Sequence, residues 1–162
     1  MASGAEGRVK EIGIVLPALP EPGGNYLPAK TVGNVVYLAG VISISDGEVI
    51  AGTVGADRTL DEGYSAARAC ALIQLAVLKR HLGSLDAVKT IVTVNGYVNA
   101  IPGFAHPESV ANFVRLSERV DGLFEGSYGG SCGNRQAQSR AQSGVDAVHL
   151  ATVKRGTFCR GR

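Results

Sequence analysis

Apolar residues recur along this chain at different spacings, and each spacing predicts an element. Val35 to Leu38 is a β-branched and aromatic run bounded by Asn34 and Gly40, which reads as a buried strand. Val41 to Ser45 continues it past a kink at Gly40. Ser45-Asp46-Gly47 reads as a turn, and Glu48 to Val54 as a strand returning in a hairpin. From Thr59 the spacing becomes helical, with Leu60, Tyr64, Ala67, Ala71, Leu75 and Leu78 on one side. Thr59-Leu60-Asp61-Glu62 fits a capping box, in which hydroxyl and carboxylate each satisfy the other residue's backbone N–H. Lys79, Arg80 and His81 oppose the negative end of the helix dipole, and Gly83 supplies a C-terminal cap. One long helix from Thr59 to Leu82 is predicted.

Val88 to Val98 is almost continuously apolar, which predicts a central strand covered on both faces. Asn99 to Pro107 reads as a loop, Glu108 to Leu123 as a second helix, and Gly126 to Gly133 as a flexible glycine-rich loop. Val145 to Phe158 has room for a last strand. At the front, residues 1–10 are small and polar and predict a loose end. Ile12 to Leu16 reads as a strand or the start of a helix, before a stiff connector of Pro17, Pro20, Pro22, Gly23 and Gly24. Helices gathered on one face of a mixed sheet make an α+β domain.

Composition changes this picture little. A chain of 162 residues fits one domain with a sizeable core, and no internal repeat or boundary is visible. The net charge of +2 does not argue for a nucleic-acid binder. The last segment is basic, with Arg135, Arg140, Lys154, Arg155, Arg160 and Arg162 against Asp146. It is a solvated end or a contact for an anionic partner. Cys70, Cys132 and Cys159 form no paired spacing, so neither a disulfide framework nor a zinc site is expected. Single histidines without ligand-spaced partners predict no metal. Ala69 to Leu78, interrupted by Gln74, is too short to span a bilayer, so no membrane partner and a cytoplasmic location are expected.

Four stretches carry a resemblance: Pro22-Gly23-Gly24-Asn25-Tyr26, Val32 to Gly40, Gly52-Thr53-Val54-Gly55-Ala56-Asp57, and Val94 to Phe104. In this order the chain resembles the Rid/YjgF family (reactive-intermediate imine deaminase-like, also L-PSP endoribonuclease-like). The resemblance covers the first two thirds well, and residues 113–138 poorly. It implies a chorismate-mutase-like α+β fold, a homotrimer with ligand clefts between subunits, and hydrolytic deamination of small enamine or imine acids without a cofactor. Ser139-Arg140-Ala141-Gln142-Ser143-Gly144-Val145 is similar to the family's arginine loop before its final strand. That likeness carries the catalytic and carboxylate-binding role onto Arg140, whose guanidinium fork suits a carboxylate. Such a clamp would hold the C=N carbon in front of a water.

The same resemblance makes Tyr26, Gly40, Asn99 and Phe104 candidate cleft residues, each with a purely structural reading beside it. Tyr26 and Phe104 read first as packed aromatics, and Asn99 equally as a loop cap. The chain has Ala39-Gly40-Val41 where the family often has Ser-Gly-Gln. It also has no carboxylate between Thr152 and Thr157, where the family has Val-Glu-x-Glu. Three readings stay open: a deaminase, a trimer that binds small carboxylates without turnover, and, third, an L-PSP-type endoribonuclease that only the basic end supports.

Overall fold

Helix α2 (Leu60–Leu82) starts and stops where its sequence predicts. The Thr59 hydroxyl accepts the Glu62 amide at 3.2 Å, and the Glu62 carboxylate accepts the Thr59 amide at 2.8 Å. Gly83 ends the helix at φ 82°, a left-handed conformation that costs glycine nothing, and its amide donates to the Lys79 carbonyl at 2.8 Å. Between the caps, every residue from Cys70 to Leu78 is buried. This computed structural model describes residues 4–19, 21, 24–104, 129–134 and 149–154. The expected helix at 108–123 lies outside the described residues.

The helix packs on one face of a five-stranded mixed sheet, giving the α+β fold with a chorismate-mutase-like arrangement. Its strands are β1 (Ala29–Val32), β2 (Val35–Leu38), β5 (Val88–Val98), β6 (Gly129–Asn134) and β7 (His149–Lys154). They lie in the order β1-β2-β7-β5-β6, with only the β5–β6 pair parallel. A separate hairpin joins β3 (Ile44–Ser45) to β4 (Glu48–Val49) around Asp46-Gly47. Val36, Leu38, Ile91, Val94 and Val98 pack with the apolar side of α2 into one core. At about 25 cal/mol per Å², that burial is the main favourable term.

Five sequence expectations are corrected by packing. Residues Ala5–Glu11 form helix α1, not a loose end. The Glu6 carboxylate accepts hydrogen bonds from Lys79 Nζ at 2.7 Å and the Leu85 amide at 3.0 Å, while the Glu6 amide donates to Asp86 at 2.9 Å. Ala5 and Val9 are buried beneath. Ile12 to Leu16 is neither strand nor the start of a helix, since α1 ends just before it.

Val41 to Ser45 does not continue β2, because the carbonyls of Ala39 and Val41 turn to the Gln74 amide (2.9 Å) and the Cys70 thiol (3.8 Å) of α2. The hairpin therefore forms within 44–49. The glycine-rich run expected to be a flexible loop supplies β6, whose ladder to Thr93–Val98 uses backbone groups and needs no side chains. Finally, β5 is covered on one face. Val88, Ile91, Val94, Gly96 and Val98 are buried, whereas Lys89 and Val92 are exposed. The expected last strand is present as β7, inside the sheet between β2 and β5.

Candidate functional site

The topology gathers most of the candidate residues at one end of the sheet. Both β2 and β5 run antiparallel to β7 between them, so their C-terminal ends lie at the same edge. β6, parallel to β5, also ends there, with Asn134 beside Val98. β7 begins there, with His149 beside Asn95, and β1 begins there, with Ala29 beside Leu38. Tyr26 precedes β1, Gly40 follows β2 and Asn99 follows β5, so all three reach one edge. Arg140 lies outside the described residues. The chain that bears it departs from β6 and re-enters β7 at this same edge.

Tyr26 is half exposed, at 49%, and stands at the rim of a shallow, open depression. Ala39, Gly40 and Val41 form one wall, and Ile73 and Val77 of α2 the other. Gln74, buried to 1% exposure, fixes that wall through the Ala39 carbonyl. That hydrogen bond ties the backbone just before Gly40 to α2.

Asn99 lines a separate shallow depression with Glu62, Gly63 and Ala66 of α2. Its side-chain Nδ2 donates to the Gly52 carbonyl and to Thr53 Oγ1, both at 3.1 Å, and its backbone carbonyl accepts the Val54 amide at 3.0 Å. Both amide protons are thereby spent on the 52–54 segment, so Asn99 acts as a tie that holds this loop against the end of β5. Arg58 completes the tie, with Nε donating to the Ala51 carbonyl at 2.7 Å and Nη1 to Glu62 at 2.9 Å. The Thr59 amide, with Arg58 beside it, holds the Glu62 carboxyl below its usual range. Gly52 sits at φ 142° under the Arg58 side chain, where a methyl group would collide with it.

Phe104 lies on the loop after Asn99, partly buried against the core. It closes the loop through its amide to the Ile101 carbonyl at 3.2 Å. Tyr26 and Gly40 thus share one depression, Asn99 lines another, and Phe104 serves the loop between strand and core. Sequence reasoning read Glu62 only as a capping residue and did not single out Arg58. The i,i+4 spacing of Arg58 and Glu62 was the available signal. Among the described residues no group of three His, Cys, Asp or Glu side chains could hold a metal ion. Among them, too, no helix is long and apolar enough to cross a membrane.

Comparison with known proteins agrees with this geometry. Residues 6–122 match the family model described as "YjgF/chorismate mutase-like, putative endoribonuclease". The chain is 39% identical over 113 residues to "Protein TCP17" of Trypanosoma cruzi, covering 67% of this chain and 71% of that protein. A crystal structure named "putative endoribonuclease" from Shewanella oneidensis MR-1 superposes with a TM-score of 0.82 at 25% identity, covering 93% of this chain and 99% of the other. The Atu1372 protein of Agrobacterium tumefaciens superposes at 0.77 with 27% identity, over 94% of this chain and 93% of that one. A family match across well over half the chain, on the fold just described, means that this protein belongs to the YjgF/chorismate mutase-like family.

Proposed function

We propose that this protein hydrolyses reactive imine or enamine forms of small 2-amino acids to 2-oxo acids and ammonia, at the sheet edge shared by Tyr26, Gly40 and Asn99, within a homotrimer. One observation carries the reading. The strands bring three of the candidate residues, and both ends of the segment that contains Arg140, to a single edge.

In this reading Arg140 takes the substrate carboxylate by paired charge-assisted hydrogen bonds. The Tyr26 hydroxyl and the Gly40 backbone orient the imine and a water. Water adds to the C=N carbon, giving a carbinolamine. That carbon then re-forms a C=O bond as the C–N bond breaks, and nitrogen leaves with the protons as ammonia. Asn99 and Arg58 keep the adjoining loop in place.

The trimer is supported by the face of the sheet turned away from α2. Lys30, Val32, Val35 and Tyr37 share that face by their register, and Val32 and Tyr37 are 56% and 54% exposed. Two exposed apolar side chains side by side on one sheet face suit contact with another copy of the chain.

The test supplies a freshly generated 2-imino acid and follows ammonia release. Acceleration over buffer is expected, with its loss in Arg140→Ala at unchanged melting temperature. No acceleration by the folded protein would remove the deaminase reading. Saturable binding of 2-oxobutanoate without turnover would then favour a carboxylate-binding protein.

A further inference from the structure

In three places a short acid or amide side chain precedes a glycine: Asp46-Gly47, Asn95-Gly96 and Asp121-Gly122. Each glycine amide has no side chain beside it and can attack the Cγ carbon of the residue before it. As bare sequence, Asn95-Gly96 is the most reactive, because an amide group loses ammonia more readily than a carboxyl group loses water. The fold reverses that order. Asn95-Gly96 sits inside β5, with Asn95 opposite Ser131 of β6 and His149 of β7, and Gly96 opposite Cys132. Gly96 is buried. Strands on both sides hold this backbone extended, and attack on Cγ requires it to leave the ladder. Asp121-Gly122 lies outside the described residues.

Asp46-Gly47 has the opposite setting. It is the two-residue turn of the β3–β4 hairpin, with Ser45 opposite Glu48, so neither residue belongs to the ladder. Both have positive φ, 54° and 84°, as a type I′ turn requires. Ser45 to Val49 are all exposed. The Ser45 hydroxyl donates to Asp46 Oδ2 at 3.1 Å and draws electron density from the carboxyl group that must be attacked. A hairpin this short opens locally at little cost, whereas a central strand opens only with the core.

We propose that Asp46 is a site of spontaneous isoaspartate formation, a covalent modification that the fold permits in this turn and suppresses in β5. The Gly47 nitrogen bonds to Asp46 Cγ and gives up its proton. The protonated carboxyl group loses its hydroxyl, and the two leave together as water. A cyclic succinimide results. Water then adds to one of its two carbonyls and breaks that carbonyl's bond to nitrogen. Opening at Cγ restores aspartate. Opening at the α-carbonyl routes the main chain through Cγ and frees an α-carboxylate. The main chain is then longer by an atom, and the turn no longer holds Ser45 opposite Glu48. The step needs only water and uses none of the residues of the deaminase reading.

The test incubates the full chain at neutral pH in heavy-oxygen water, folded and in denaturant side by side. Trypsin releases the three sites on separate peptides, 31–58, 90–115 and 120–135. Isoaspartate is counted on each by methyl transfer from S-adenosylmethionine through an isoaspartyl-specific methyltransferase, and ring opening by heavy-oxygen uptake. In the folded chain Asp46 should react within about threefold of its rate in denaturant, whereas Asn95 should be slowed about hundredfold or more. Asp46→Glu should remove the signal from peptide 31–58 and leave peptide 90–115 unchanged, because the larger ring that glutamate needs forms far more slowly. The proposal is overturned if folded protein yields no isoaspartate on peptide 31–58, or if folding slows Asp46 as strongly as Asn95. A signal on that peptide that survives Asp46→Glu also overturns it, since it would arise at another residue.

Discussion

Gln74 is a polar side chain in the middle of an apolar helix, and the structure gives the reason for it. At 1% exposure its amide reaches the Ala39 carbonyl at 2.9 Å and terminates β2 where the site begins. Gln74→Leu keeps the volume but leaves that carbonyl without this donor, a loss of about 1–3 kcal/mol. Thermal denaturation should show a drop of roughly 2–4 °C per kcal/mol in a domain of this size. An unchanged melting temperature would mean that the Ala39 carbonyl finds another donor.

Glu6 is the second informative residue. The Lys79 ammonium, then the Leu85 amide, hold its carboxyl below the ordinary 4.5, against the opposing pull of partial burial. A carboxylate with a lowered folded pKa stabilises the fold above its unfolded value and loses that contribution as pH falls through the folded one. Stability should therefore decline below about pH 4.5, and Glu6→Gln should flatten that decline. The ion pair is partly exposed, so the effect is modest. Denaturant midpoints of both proteins across this window would measure it, and parallel curves would exclude Glu6 as a contributor.

Among the elements, α2 is the most fully specified by its own sequence. Thr59→Ala removes the hydroxyl that accepts the Glu62 amide and should cost about 1 kcal/mol. Leu78→Ala, at a side chain with 0% exposure, should cost about 2–5 kcal/mol through lost burial and the cavity left behind. A ratio near one between these two would contradict the reading that packing, rather than capping, dominates this helix. Helix α1 has the opposite character. Seven residues are too few for a stable isolated helix, so it exists through Glu6 and the burial of Ala5 and Val9. The same holds for β6, whose glycines carry no strand preference and which forms because β5 offers a paired edge.

For the whole molecule, the face of the sheet opposite α2 carries the question of assembly. Tyr37→Glu would place a charge in the proposed interface, whereas a free face would accept it without effect. Sedimentation should show the variant dissociating to smaller species, together with the loss of any ammonia release that needs a shared cleft. A wild-type monomer would leave Val32 and Tyr37 as ordinary exposed residues. The basic end makes a separate claim at this scale. If it binds RNA, affinity should fall steeply with salt, because counterions are released at each phosphate contact.

By itself the sequence determined the elements whose signals are local. The Thr59–Glu62 box, the Gly83 stop, the β-branched run from Val88 to Val98 and the α+β class all follow from spacing and capping within a few residues. Gly33-Asn34, the turn between β1 and β2, is likewise a local two-residue hairpin signal. Tertiary structure alone decided the rest. It made α1 helical, turned a glycine run into β6, slid β7 between β2 and β5, and set Tyr26 and Gly40 in one depression and Asn99 in another. Each of these depends on partners dozens of residues away, and a contact of that range leaves no periodic trace in the segment that makes it.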